Sequence, residues 1–285
     1  MRAVRLLTLI VSALLLSSCG GSDTSTHGER TIVAAFYPLA WAAEQVASSG
    51  DVVVNLTPPG VEPHDIELTP GDVERVRDAD LVLYLGKGFM PALEDAVEGA
   101  GNAVDLLAGQ DVRPGEEPGE ADPHIWLDPT KYATAVREIA AALGDPDAAD
   151  ALVARLNELD QEFRHGLVRC DRRQIVTSHA AFGYLADAYD LEQIALTGVS
   201  PEAEPSPRAL EDLVQKVDEE GATTVFFETL VSPRLAETVA RETGARTAAL
   251  NPLEGLTDDD LTEGQDYFTV MRANLVALRE ALGCR

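Results

Sequence analysis

The chain has 285 residues, of which 45% are hydrophobic and 25% charged, a composition that excludes an intrinsically disordered protein and allows two globular domains. Acidic side chains outnumber basic ones 49 to 22, so the formal net charge is −27. This charge repels phosphate backbones and excludes nucleic acid as a plausible partner. It also attracts cations, although the same acidity is common in proteins that it merely keeps soluble.

The N-terminus is typical of a secretory signal peptide over residues 1–18. Two arginines precede an apolar run, 6–16, that is too short to span a bilayer comfortably. The run ends in Leu16-Ser17-Ser18-Cys19, which resembles a bacterial lipobox, whose cysteine is acylated; an ordinary signal with a stray cysteine is the alternative. Cleavage before Cys19 removes two arginines and no acid, which changes the formal charge from −27 to −29. The acyl chains would then attach the protein to the membrane.

A predicted flexible tether, 19–30, is rich in Gly, Ser and Thr. After it, short apolar runs alternate with helical stretches, which indicates a parallel sheet covered by helices. We predict an N-terminal α/β lobe over 31–145. Its predicted strands are 31–36, 52–56, 81–85 and 103–106. Its predicted helices include 38–48, 89–97 and 131–143.

A long helix is predicted to join this lobe to a second one. Gly144, Asp145 and Pro146 mark a break and a new helix start. Apolar residues then recur in steps of four, three, four and four, which places them on one helix face: Leu152, Leu156, Leu159, Phe163 and Leu167. We predict a linking helix over 146–170.

The strand–helix alternation resumes in a predicted C-terminal lobe over 171–285. Its predicted strands are 174–177, 193–196, 224–227 and 247–250, and its helices are 207–217, 233–243 and 267–282. The predicted fold class is therefore α/β, with two lobes, each a parallel sheet covered by helices, joined by one long rigid helix.

Two cysteines remain in the mature chain, Cys170 and Cys284. An oxidising compartment favours a disulfide between them, and a free buried pair is the alternative.

Three of the five histidines lie in loops or at strand ends where a ligand site is expected. His64 and His179 each follow a predicted strand, in different lobes, and His124 precedes the linking helix. Ligand sites in open α/β sheets gather beyond the carboxyl ends of the strands, so these imidazoles could meet across a cleft. Imidazoles with a carboxylate suit zinc, whereas magnesium and calcium prefer oxygen ligands. Any one of them alone could be an ordinary surface or hydrogen-bonded histidine. His27 and His165 are not predicted ligands.

Four motifs resemble those of the zinc and manganese solute-binding lipoproteins of bacterial ABC importers. They are Pro63-His64-Asp65 with Glu67 and Pro70, the run 122–129, the run 178–184, and the run 251–257 followed by Asp266-Tyr267-Phe268. The resemblance covers 31–285 and is strongest to the zinc-specific, adhesin-like branch. It implies two α/β lobes joined by a rigid helix.

The resemblance also implies the metal ligands. His64, His124 and His179 would be three of them, and His179 favours zinc because many manganese-binding relatives have Glu at that position. Glu254 would be the fourth ligand, although the acids at 258–260 or a water are rivals. Acids that would orient the imidazoles, or merely cap helices and turns, are Asp65, Asp122, Asp128 and Glu228. Several zinc-binding relatives carry a histidine-rich loop between the first two ligands, but 113–121 has no histidine.

The expected function is capture without catalysis. The protein would bind one divalent ion, zinc, at the outer face of the bacterial cell membrane and deliver it to the permease of an ABC importer. It would be a lipid-anchored monomer. The alternatives are a manganese- or iron-binding importer component, a secreted zinc hydrolase with Glu254 as general base, and a surface adhesin.

Overall fold

The computed structural model describes residues 29–115, 120–201 and 206–285. The predicted signal peptide, the lipidation site Cys19 and most of the predicted tether lie outside these residues. Among the described residues, no helix combines the length and the apolarity that a membrane span requires.

The N-terminal lobe is a parallel sheet of four strands in the order β2-β1-β3-β4. The strands are β1 (Thr31–Ala34), β2 (Val52–Asn55), β3 (Leu81–Tyr84) and β4 (Ala103–Asp105), and the helices are α1 (Tyr37–Val46), α2 (Pro70–Asp78), α3 (Pro91–Ala96) and α4 (Pro129–Ala142). Residues 32–34 of β1 are fully buried, because helices cover both faces of a parallel sheet. This is why the two central strands, β1 and β3, are largely apolar runs in the sequence.

A linking helix follows α4. It comprises a 3-10 turn, Pro146–Ala149, and α5 (Asp150–Leu167). The predicted apolar stripe of α5 is buried. The exact division into lobes at 31–145, 146–170 and 171–285 stays a prediction.

The C-terminal lobe repeats the strand order of the first, as β6-β5-β7-β8, again parallel. The strands are β5 (Gln174–Thr177), β6 (Glu192–Ala195), β7 (Thr224–Phe227) and β8 (Arg246–Ala249), and the helices are α6 (Gly183–Ala188), α7 (Pro207–Glu219), α8 (Arg234–Thr243), α9 (Asp258–Thr262) and α10 (Tyr267–Leu282). Two parallel sheets with surrounding helices confirm the predicted fold class.

Helix α2 was not predicted, because it has almost no apolar face. Only Val76 is buried in it, and its mean hydropathy is low. Its start is nevertheless encoded locally. Thr69 and Asp72 form a reciprocal capping box, and Pro70 occupies the first turn, where its missing N–H costs nothing.

The two lobes share a buried interface rather than meeting only through the linking helix. Trp41 of α1 stacks on Tyr267 of α10, with ring centroids 5.3 Å apart. The hydroxyl of Tyr267 donates to the carbonyl oxygen of Trp126 at 2.7 Å, and the indole N–H of Trp126 donates to the carbonyl oxygen of Pro252 at 2.7 Å. Because buried hydrogen bonds with apolar surroundings are costly to break, this interface restricts movement between the lobes.

Cys170 and Cys284 form a disulfide, as the sequence favoured, across a sequence separation of 114 residues. The bond ties the chain after α5 to the chain after α10. Replacing both cysteines by serine is expected to lower the free energy of unfolding by about 4–5 kcal/mol, because the unfolded chain regains the entropy of a large loop. Urea unfolding of the double variant and the oxidised parent measures this loss, and coincident midpoints would contradict it.

Candidate metal centre

Short 3-10 turns position the two N-terminal histidines of the site. His64 lies in a 3-10 turn, Pro63–Asp65, in the loop after β2, and its N–H donates to the Glu62 carboxylate at 3.1 Å. His124 directly precedes a second 3-10 turn, Ile125–Leu127, which leads into α4. Pro63 fixes the backbone before His64, as Pro123 does before His124.

The C-terminal lobe supplies the other two side chains. His179 follows β5, and Glu254 lies in the loop after β8. The residue before Glu254, Leu253, has a φ of 58°, a left-handed conformation that costs a non-glycine residue about 1–2 kcal/mol. The N–H of Leu253 donates to the side-chain oxygen of Asn251 at 2.7 Å. The backbone N–H of Asn251 donates to the side-chain oxygen of Asn274 in α10, and the side-chain amide of Asn274 donates to the carbonyl oxygen of Asn251. These bonds hold the strained loop in place.

The structure brings all four predicted ligands together. Their ligand atoms lie within 4.8 Å of one another. Oε1 of Glu254 lies 3.3 Å from Nε2 of His64, 2.9 Å from Nε2 of His124 and 3.2 Å from Nε2 of His179. The Nε2 atoms of His124 and His179 are 3.3 Å apart. A tetrahedral zinc with bonds of about 2.0–2.1 Å separates its ligand atoms by about 3.3 Å, so the donor set fits this ion.

The site is shielded from solvent. The side chains of His124, His179 and Glu254 are fully buried, whereas that of His64 is 8% exposed. His64 therefore marks the side of the site nearest to water. Its ring packs edge-on against Phe89, with centroids 4.7 Å apart.

Two carboxylates orient the imidazoles from behind. Nδ1 of His124 lies 2.8 Å from Oδ1 of Asp122, and Nδ1 of His179 lies 2.7 Å from Oε1 of Glu228. Since an ionised carboxylate only accepts hydrogen bonds, each Nδ1 carries a proton, which leaves Nε2 as the nitrogen that would bind a metal ion once it has lost its own proton. Glu228 therefore orients an imidazole, whereas Asp122 orients the His124 ring and also caps its turn by accepting the His124 backbone N–H at 3.0 Å.

Other acids weighed from the sequence have structural roles. Asp128 caps α4 by accepting from the N–H of Thr130 at 2.8 Å. Asp260 closes a capping box with Thr257 at the start of α9, so its carboxylate is engaged away from the imidazoles. The side chain of Asp65 lies outside the described set.

Of the two histidines not predicted as ligands, His165 is exposed on α5, and His27 precedes the first described residue.

Glu62 is a functional candidate that the sequence analysis missed. Burial, then the neighbouring charge of Glu254, raises the pKa of Glu62 to about 9. One oxygen of each carboxylate, Oε2 in both cases, is buried and has no hydrogen-bond partner in the described structure. A buried carboxylate oxygen without a partner is unfavourable in free energy, and the raised pKa of Glu62 keeps its carboxyl group protonated beside the ionised Glu254 at neutral pH. The sequence could have indicated Glu62 only through its position two residues before His64.

The electrostatics of the four side chains are tightly linked. Burial lowers the pKa of His179, but the charges of Glu228 and Glu254 raise it by more, so it lies well above the ordinary 6.5. Burial likewise lowers the pKa of His124, and its bonds to Asp122 and Glu254 raise it above 6.5. Burial raises the pKa of Glu254, but the charge of His179 and the bonds to the imidazoles hold it well below 4.5.

These shifts predict the pH dependence of stability in chelator-treated protein. A histidine whose pKa is raised on folding stabilises the fold fully below 6.5, and this contribution is lost as the pH rises through the folded-state pKa of His124 and His179. The pKa of Glu254 is lowered on folding, so its ionised carboxylate stabilises the fold above pH 4.5. This contribution is lost as the pH falls towards the low folded-state pKa, outside the neutral and alkaline range in which the histidine contributions change. We therefore expect the melting temperature to fall between pH 6.5 and alkaline pH.

Thermal melts across that pH range test this expectation. The variant His179→Asn should show a flatter profile, because it lacks the more strongly shifted imidazole. The control His165→Asn changes an exposed ring on α5 and should follow the parent. A parent profile that rises with pH over the same range would contradict the assignment.

Comparison with known proteins agrees with this geometry. The sequence matches the family model "ZnuA: Zinc-uptake complex component A periplasmic" over residues 32–281. It is 34% identical to the high-affinity zinc uptake system protein ZnuA of Bacillus subtilis (strain 168), over 94% of each chain. It is 33% identical to the zinc-binding lipoprotein AdcA of Streptococcus pneumoniae (strain ATCC BAA-255 / R6), over 98% of this chain but only 61% of AdcA.

A solved structure supports the same relationship. The Zn(II)-bound ZnuA-like domain of Streptococcus pneumoniae AdcA superposes with a TM-score of 0.77 at 32% identity, over 90% of this chain and 99% of that domain. The match therefore covers both lobes and the linking helix. The chain belongs to the ZnuA family of periplasmic zinc-uptake components.

Proposed function

We propose that this protein binds one zinc ion outside the cytoplasm and delivers it to the permease of an ABC importer. The observation that carries the proposal is the convergence of four ligand atoms within 4.8 Å of one another. Oε1 of Glu254 lies 2.9 to 3.3 Å from the Nε2 atoms of His64, His124 and His179, close to the separation in a tetrahedral zinc site. The relatives named above are zinc-binding or zinc-uptake proteins, which supports the same metal.

The proposed ligands are His64, His124, His179 and Glu254, with the ion as transported substrate. A three-nitrogen site favours zinc over manganese, because zinc binds more strongly to nitrogen donors in the general order of metal affinities. Glu254 completes a four-donor set, whereas a catalytic zinc keeps a position open for water. This donor set supports a binding protein over a secreted hydrolase.

We further propose that Cys19 carries the lipid anchor and that the body works as a monomer on the outer face of the cell membrane. The lipobox-like sequence supports the anchor, because the acylated cysteine would become the mature N-terminus. Two or more acyl chains would hold the protein stably at the membrane. Radiolabelled palmitate incorporation by the parent and by Cys19→Ala tests this step.

Competition titration tests the metal preference. Chelator-treated protein is titrated with zinc alone, with manganese alone, and with manganese in the presence of zinc. We expect one zinc per chain and displacement of manganese by zinc. Tighter binding of manganese, or catalytic turnover of ester and peptide substrates by the zinc-loaded protein, would overturn the proposed function.

A further inference from the structure

A second polar cluster joins the two lobes beside the metal centre. Arg113, in the loop before His124, donates its backbone N–H to the hydroxyl oxygen of Tyr184 at 2.8 Å, and that hydroxyl donates to the carbonyl oxygen of Asp122 at 2.9 Å. The guanidinium of Arg113 pairs with the carboxylate of Asp187. Arg113 and Asp122 precede the linking helix, whereas Tyr184 and Asp187 lie on α6 of the other lobe.

This cluster connects the chain segments that carry two proposed ligands. Asp122 lies two residues before His124 and accepts a hydrogen bond from its backbone N–H at 3.0 Å. Helix α6 begins at Gly183, four residues after His179. A rigid connection between these segments would therefore fix the separation of the His124 and His179 rings, whose Nε2 atoms are 3.3 Å apart.

The loop that carries Arg113 is itself held closed. The N–H of Asp122 donates to the carbonyl oxygen of Arg113 at 2.9 Å, and the N–H of Gly115 donates to that of Glu120 at 2.9 Å. Pro114 and Ala121 form an isolated antiparallel bridge. Because these backbone hydrogen bonds hold both ends of the loop together, the backbone of Arg113 is fixed where its guanidinium contacts α6.

Gly183 provides the space in which the lobes approach. A Cβ at this position would lie 2.7 Å from Nε of Arg113 and 2.9 Å from Oδ2 of Asp122. The backbone of Gly183 is ordinary α-helix, with a φ of −59°, so alanine would suit the backbone itself. The glycine is therefore required by close approach and not by its conformation.

Charge also favours the contact. The side chain of Asp122 is 4% exposed, with Oδ1 bonded to His124 and Oδ2 3.5 Å from Nε of Arg113. Arg113 is 35% exposed, and Asp187 is 65% exposed. The buried carboxylate of Asp122 thus lies between the imidazole of His124 and the guanidinium of Arg113. The same guanidinium pairs with Asp187 in the opposite lobe.

We propose that Arg113, Asp122, Tyr184, Gly183 and Asp187 form an interlobe latch that slows release of the bound metal, with Arg113 as its positioning residue. This inference rests on the proposed function. On this proposal, the ion leaves when ligands on opposite lobes separate. Separation of His124 from His179 requires the Arg113–Asp187 ion pair and the Tyr184 hydrogen bonds to break, and the latch thereby adds to the barrier for release.

Stopped-flow release of zinc from loaded protein into excess EDTA tests the latch. We expect Arg113→Ala and Asp187→Asn each to raise the dissociation rate about fivefold, the factor for one partly exposed ion pair. The double variant should release no faster than the faster single variant, since both break the same contact. Arg113→Lys should restore part of the parent rate, which a purely structural role would not predict.

Two further variants complete the test. Gly183→Ala should accelerate release while the melting temperature of chelator-treated protein stays close to that of the parent. Arg246→Ala is the matched control, because Arg246 makes an exposed ion pair with Glu280, and it should release zinc at the parent rate. Asp187→Asn alters an exposed carboxylate and is expected to fold normally.

The outcomes separate the latch from the proposed function. Failure of the parent protein to bind zinc would overturn the proposed function and the latch with it. Normal zinc binding by the parent, with unchanged release from Arg113→Ala and Asp187→Asn, would overturn the latch alone. Slower release from Arg113→Ala would also overturn it, because Arg113 would then act only by screening Asp122.

Discussion

Replacement of His179 by alanine is expected to weaken zinc binding by roughly 100- to 1,000-fold, about one ligand's share of the binding free energy of a four-ligand zinc site. The loss is large because His179 is fully buried and its Nε2 lies 3.2 Å from Oε1 of Glu254. A water molecule in place of the imidazole would lack the fixed position that the ring of His179 has. Competition with a chromophoric chelator measures the change.

Two variants bracket this expectation. Glu228→Gln keeps the imidazole of His179 but removes the negative charge behind its Nδ1, and we expect a loss of about tenfold. His165→Ala removes an exposed imidazole on α5 and should bind zinc like the parent. Equal affinity of His179→Ala and the parent would show that the ion binds elsewhere.

Zinc is expected to raise the melting temperature of chelator-treated protein by about 10 °C at a free concentration about a thousandfold above its dissociation constant. Mass action supplies about 4 kcal/mol under that condition, and a chain of this size gains about 2–4 °C for each kcal/mol. The unfolded chain lacks the preformed site, because His64 and Glu254 are 190 residues apart in sequence. Binding therefore stabilises the folded state alone.

Scanning calorimetry with zinc, manganese and magnesium measures this stabilisation. Manganese should shift the transition less than zinc, and magnesium should leave it unchanged, since a nitrogen-rich site does not suit a hard cation. The variant His179→Ala should lose most of the zinc shift at the same zinc concentration. A parent transition that zinc does not move would count against the assignment.

The lobes and strands could be predicted because each follows from a local pattern. Short apolar runs predicted all eight strands. The predicted ends of β5 and β7 match the structure, and those of the other six strands differ by at most two residues. A four–three apolar step predicted the core of α5. Strand ends are set by hydrogen bonds to neighbouring strands, such as Val33 opposite Val54, which no local window contains. Helix α2 lacks such a pattern, and only the local signals at its start, the capping box and Pro70, indicate it.

The site could be predicted in part. Histidine is rare in this chain, so two histidines after strands and a third before the linking helix indicate a metal site. Glu254 is one acid among 49 and was identified only through the family resemblance. The pairing of His179 with Glu228 spans 49 residues and that of His64 with Glu254 spans 190. Contacts of this range depend on the packing of both lobes, and the same is true of Glu62 and Arg113.

A crystal structure of the zinc-loaded protein, with data on both sides of the zinc absorption edge, tests the central claim most directly. We predict one anomalous peak per chain, with three histidine nitrogens at about 2.0–2.1 Å and one oxygen of Glu254 at about 2.0–2.2 Å. A peak outside the space between His64, His124 and His179, or a site built mainly from oxygen ligands, would contradict the account.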